Sequence, residues 1–213
     1  MLLRLHSERG LEIVSPRPLG ARQARELLER HREWIENQLV RHPAWPRERL
    51  PEHIDLTALG QRWDILHTTR SGPPGLDACP ITRRMTARGA SETLWPLIGE
   101  WLHTQARTHL LATIHELSAQ HGLPLRGATV RWARTRWGSC SSRGTVSLSA
   151  RLLWLTPEQV HYVMMHELTH LEHLHHGPAF WRALEARMPD ARAVDRQLRH
   201  AAPSLPPWLA LLK

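Results

Sequence analysis

Cysteine is scarce in this 213-residue chain, Cys79 and Cys140 being the only two. A single pair so far apart in sequence excludes a disulfide-built scaffold, and a reducing compartment fits best. Lysine is scarcer still: Lys213 stands alone among 28 basic residues. The excess of positive charge, formally +8 against 20 acidic groups, is therefore arginine charge. It favours encounters with anionic surfaces, nucleic acid among them, without specifying one. Tyrosine and phenylalanine occur once each, as Tyr162 and Phe180, beside ten tryptophans. The tryptophans are scattered, lack the spacing of a base-stacking platform, and read as core. Long apolar runs are absent too. No stretch approaches the about 18 apolar residues that span a bilayer, and the opening MLLRLHSERGLEIV has no uninterrupted apolar segment of the signal-peptide kind. The chain reads as soluble and cytoplasmic, with no membrane partner, no internal repeat and no low-complexity tract.

The length present is enough to bury a hydrophobic core as one domain with a small companion. Residues 1–90 read as a β-rich N-terminal region with one helix. A hairpin over 2–14 breaks at Arg9-Gly10 and is followed by a turn at Ser15-Pro16-Arg17-Pro18. Ala24, Leu27, Leu28, Trp34, Ile35 and Leu39 mark an amphipathic helix from Ala21 to about Arg41, ended by Pro43 and Pro46. Short apolar segments at 54–70 and 80–87 predict a small sheet with a mobile loop at 71–75.

Residues 91–213 read as a second unit. Leu97, Ile98, Trp101, Leu102, Ala106, Leu110, Ile114 and Leu117 give one broad face to a helix from Trp95 to about His121, stopped by Gly122 and Pro124. Period two follows at Val130, Trp132 and Arg134, and again at Val146, Leu148 and Ala150. These predict an antiparallel pair joined through TRWGSCSSRG, with Gly144 supplying the positive φ of a tight turn. The next helix is clearly punctuated: Thr156 as N-cap, Pro157 at the first position, and Gln159 completing a capping box. Gly177-Pro178 opens another helix, 178–187, closed by Met188-Pro189.

The chemistry concentrates in HELTHLEHLHHG, residues 166–177. His166 and His170 are one helical turn apart, so their imidazoles share a face and can share a metal. Glu167, beside the first, lies where a carboxylate can take a proton from metal-bound water attacking a peptide carbonyl. Composition alone predicts on the order of 0.1 such strings by chance, so spacing by itself is suggestive only. His115-Glu116 begins the same string, yet Ala119 stands where the second histidine belongs, and that pair reads as structural. A third ligand is needed if one position is to stay open for water. His173 continues the helical face and converges poorly. His176, at a turn before Gly177-Pro178, fits best, His175 follows, and Glu185 is the fallback.

Around this centre, Tyr162 lies one turn before His166 and either packs beside the helix or takes part in catalysis. His175 can orient a ligand. Gly138 and the small polar residues after it permit close backbone approach, so this strand end can take a substrate peptide onto a sheet edge. Cys140 has no base tied to it by local sequence, which makes a nucleophilic role the weaker reading. Arg134 and Arg136 can meet a substrate carboxylate or an acidic partner, and Phe180 and Trp181 can pack against the ligand helix.

RWGSC at 136–140, together with SLSARLLWLTPEQVHYVMMHELTHLEHLHHGPAFW at 147–181, resembles the YgjP-like family of predicted zinc metallopeptidases, relatives of the SprT-like and WLM groups. The resemblance implies an α+β fold with a zincin-like metallopeptidase core and a small N-terminal β-rich region. It implies one zinc ion on His166, His170 and His176, Glu167 as catalytic base, and a protein or peptide substrate. It matches Tyr162 to the family's helix tyrosine and Phe180-Trp181 to its final aromatic pair. Ser149 stands where the family usually has asparagine, and His175 and Gly177 replace its usual Asn and Ser around the third ligand. The N-terminus also begins later than is common in the family. SprT-like relatives act on proteins bound to DNA, an analogy to which the basic charge lends interest. Two other readings compete: a non-catalytic metal-stabilised binding protein with His173 or His175 as fourth ligand, and a basic nucleic-acid-associated adaptor.

Overall fold

The computed structural model describes residues 2–6, 10–16, 18–41, 46–68, 72–199 and 205–212. The chain opens with the hairpin β1 (Leu2–His6) and β2 (Gly10–Val14), antiparallel with Leu2 opposite Val14. Of the two turns expected around it, Arg9 and Arg17 lie outside the described residues, as does Pro43 further on. The single helix expected over 21–41 is two: α1 (Ala21–Arg30) and α2 (Arg32–Arg41). His31 separates them, with φ −110° and ψ 17°. No glycine or proline marks that break, and α1 buries none of its residues, so no packing face holds it in register with α2.

A four-stranded sheet comes next, built from β3 (His53–Leu56), β4 (Gln61–Thr68), β5 (Gly75–Cys79) and β6 (Arg84–Arg88). Its order is β3-β4-β6-β5, with β4 and β6 parallel and the outer pairings antiparallel. Of the loop expected at 71–75, Ser71 lies outside the described residues and Gly75 already opens β5. Ile54, Leu56, Trp63 and Ala87 turn into the same apolar core as the long helix after the sheet.

That helix, α3 (Ser91–Gln120), begins four residues before the expected start and carries Pro96 inside it. Its first turn is tight, Thr93 N–H donating to Ala90 O at 3.0 Å, and the ladder bond that Pro96 cannot donate is lost close to that end. Leu94, Ile98, Leu102, Ala106, Leu110, Ile114 and Leu117 form its buried stripe, at helical spacing. Leu97 and Trp101 only flank it. Among the described residues no helix is long and apolar enough to cross a membrane.

The three-stranded sheet after α3 corrects the expected topology. β7 (Gly127–Arg131) and β9 (Thr145–Ser149) are parallel, not antiparallel. The reason lies in TRWGSCSSRG, which is not a simple connection but contains a strand of its own, β8 (Gly138–Cys140). β8 takes the antiparallel side of β9, so β7 has to lie along the other edge, and the order is β7-β9-β8. Gly144, at φ 79°, does supply the tight turn, but between β8 and β9, where its N–H donates to Ser141 O at 2.9 Å.

A 3-10 turn over Ala150–Trp154 leads to α4 (Pro157–Thr169). The capping box is in place: Gln159 N–H donates to Thr156 Oγ1 at 3.2 Å and Thr156 N–H to Gln159 Oε1 at 3.1 Å. Val160, Val163, Met164 and Leu168 are buried, so the second half of α4 is pinned against the core. α5 (Pro178–Arg187) and α6 (Ala191–Leu198) complete an α+β fold, with a last 3-10 turn at Pro207–Leu211.

Candidate metal centre

α4 stops at its second histidine. His170 is the C-cap, its N–H bonded to His166 O at 3.3 Å, and the chain then bends, with Leu171 N–H on Leu168 O at 3.0 Å. The bend has two consequences. His173 leaves the helical face it was expected to continue, and the chain returns to present His176 just before α5. Arg187 of α5 ties the bend down through Glu172, at 2.7 Å.

The structure thus brings His166, His170 and His176 together, with one nitrogen from each lying within 4.8 Å of the others. Nε2 of His166 and Nε2 of His176 are 2.9 Å apart. The remaining candidates stay outside this group. His173 contributes its carbonyl, which accepts from His170 Nδ1 at 3.0 Å and leaves Nε2 of that ring with its lone pair. Glu185 pairs with Arg192 instead, and His175 is exposed on the bend.

Under the three rings lies Phe180, fully buried, with centroids 4.9, 4.7 and 4.8 Å from those of His166, His170 and His176. Trp181 stands edge-on to Phe180 at 5.7 Å, its own face covered by the Arg192 guanidinium at 4.3 Å. Burial, with the neighbouring rings of His170 and His176 adding, pushes His166 down to about 4, so it is neutral at physiological pH. Burial also lowers His170. Three imidazoles converging on one point, two with their Nδ1 atoms already engaged, are a donor set that suits a divalent ion of the zinc type.

Glu167 is buried on the other flank, where β8 passes over it. A methyl group on Gly138 would meet Glu167 Cγ at 2.7 Å and Oε1 at 2.8 Å, so the close approach expected of this glycine is made to the carboxylate's own side chain. Burial pushes the Glu167 carboxyl up to about 7, opposed by the Arg136 guanidinium and a hydrogen bond from the Cys140 backbone. The loop before β8 is tied from behind. Ser149 Oγ donates to Ala133 O at 2.9 Å, while Arg151 donates to Arg134 O and covers the Trp137 ring at 5.4 Å. Cys140 is half-buried and its thiol is raised by burial and by Glu167, the wrong direction for a nucleophile.

Sequence reasoning passed over Asp195. Tyr162 donates to Asp195 Oδ1 at 2.9 Å, and the same hydroxyl lies 3.3 Å from His166 Nδ1. Burial and that acceptor push the phenol well above its ordinary value. Asp195 sits on α6, and no local spacing relates it to His166.

An α+β fold in which a helix brings two imidazoles and a buried carboxylate beside a third imidazole from the following bend has the donors and the acceptor that a metallopeptidase requires. Within that class the chain belongs to the YgjP-like family: the model described as YgjP-like, metallopeptidase domain, matches residues 1–201. No curated protein matches the chain. Among solved structures it is similar to the metallopeptidase zymogen of Pyrococcus abyssi abylysin, at 25% identity, over 47% of this chain and 90% of that one, with a TM-score of 0.33.

Proposed function

We propose that this metallopeptidase is a zinc enzyme that hydrolyses peptide bonds in protein or peptide substrates, with His166, His170 and His176 holding the metal and Glu167 as its base. The observation that carries the proposal is the buried Glu167 carboxylate set between the backbone of β8 and a cluster of three imidazoles. Zinc, when bound, supplies Lewis acidity toward a water molecule and toward the scissile carbonyl. Glu167 supplies the proton acceptor: burial raises its affinity for a proton toward neutrality, so it can take one from the attacking water and release it to the leaving amine. The Cys140 backbone N–H orients the carboxylate by a hydrogen bond while it does so, and the charge of Arg136 favours its ionised form.

The substrate main chain has a natural seat. β8 is an edge strand, and Trp137 O and Ser141 N–H bond to β9, so the backbone of Gly138 and Cys140 points the other way. Cys140 N–H is spent on Glu167, and Gly138 can pair with an extended peptide laid along the edge. Residues 117–157 contain six arginines and no acidic residue, which favours acidic segments at that edge.

Metal analysis of untagged protein tests the first half: about one equivalent of zinc is expected, and less than about a tenth would end the three-ligand reading. The second half is tested with Glu167→Gln, which should keep its zinc and lose hydrolysis of a quenched-fluorescent peptide by roughly 100- to 10,000-fold.

A further inference from the structure

Behind His166, a hydrogen-bonded chain runs to the C-terminal helix α6. Arg199 donates to Asp195 Oδ2 from Nη2 at 2.7 Å and from Nε at 3.2 Å. The other carboxylate oxygen accepts the Tyr162 hydroxyl at 2.9 Å. A phenol has one proton, and once it is given to Asp195 only lone pairs remain for the contact with His166 Nδ1 at 3.3 Å. The hydrogen in that contact must come from the ring. His166 is then the Nδ1–H tautomer, and its lone pair sits on Nε2, the nitrogen facing His176.

We propose that Asp195, acting through Tyr162, is a positioning residue for the ligand His166, because it fixes the direction of the Tyr162 hydrogen bond and with it the tautomer of the ring. Without the carboxylate, the best acceptor left for the buried hydroxyl is His166 Nδ1 itself. The bond reverses, the imidazole carries its proton on Nε2, and the nitrogen that should meet the metal is blocked. Tyr162 is only 2% exposed, so water does not take over as a partner. The same geometry separates Tyr162 from the reacting groups: its proton points to Asp195, on the far side of the ring from the three-imidazole cluster.

This inference rests on His166 being a metal ligand, and the test keeps the two claims apart. Ring-nitrogen NMR of the metal-free full-length chain should show His166 protonated at Nδ1. Asp195→Asn leaves an oxygen for Arg199 and turns an amide donor toward the phenol, which should shift the ring to the Nε2–H form. Competition with a chromophoric chelator should then give zinc affinities roughly 10- to 100-fold weaker for Asp195→Asn and for Tyr162→Phe. An Nε2–H ring in the parent protein that still binds zinc would overturn the positioning role alone. So would variants of unchanged stability whose affinities stay within about threefold of the parent. A parent protein that binds no zinc would overturn both claims, and if either variant fails to fold, the parent's tautomer still decides.

Discussion

Substituting Gly138 by alanine adds one methyl group at the most constrained point of the site. The backbone there is not in the left-handed region, so alanine is acceptable conformationally and only space opposes it. The new Cβ would lie 2.7 Å from Glu167 Cγ, 2.8 Å from Oε1 and 3.0 Å from Cδ, distances that real contacts do not sustain. What has to yield is the Glu167 side chain from Cγ outward, since β8 is held by β9 and by the tied loop behind it. Moving one side chain costs about 1 kcal/mol, a fall of roughly 2–4 °C in Tm for a chain of this size. Moving the base by about 1 Å should cost roughly 100-fold in kcat, equivalent to about 2.7 kcal/mol. The assay is peptide hydrolysis by Gly138→Ala beside its zinc content and thermal denaturation. A variant that keeps its metal and its Tm within those limits and hydrolyses peptide at the parental rate would show that Glu167 need not stand where β8 holds it.

Four further outcomes are expected. His173→Ala should keep full metal content, because only the carbonyl of that residue touches His170, whereas His176→Ala should lose most of it; metal analysis after dialysis separates the two. Ser149→Ala removes a buried donor to Ala133 O and should lower stability by about 1–3 kcal/mol, read as a drop in Tm. With a thiol reagent at mildly alkaline pH, Cys79 should react well before Cys140. Its thiol is exposed and lowered by hydrogen bonds from Thr82, so its thiolate fraction is larger, while burial raises Cys140; peptide mapping by mass spectrometry gives the order. Acidic peptides should be cleaved faster than basic ones, and the preference should shrink as salt is raised, since the exposed Arg136 and Arg143 flank β8 in the chain.

What could be read from the sequence was local. Thr156, Pro157 and Gln159 fix the start of α4 through contacts three residues apart, and Pro178 opens α5 at its first position. The one-turn spacing of His166 and His170 is likewise a property of the helix alone. What escaped depends on partners distant in sequence. Alternation marks Val130 and Val146 as strand residues but carries no direction, and the three-residue β8 that makes β7 and β9 parallel is too short to show a period. The interruption at His31 has no breaker residue to announce it. Asp195 reaches Tyr162 only because α6 packs beside α4, and nothing in MPDARAVDRQL points to a phenol 33 positions earlier.

Phe180 has no polar atom, yet it touches every ring of the candidate centre. Its place beneath all three gives the imidazoles one apolar surface in common, so the packing of α5 against α4 carries part of the ordering cost of bringing these rings together. An ion held by the proposed ligands would thus bind rings that share a common apolar floor, unlike small domains whose ligands have no core beneath them.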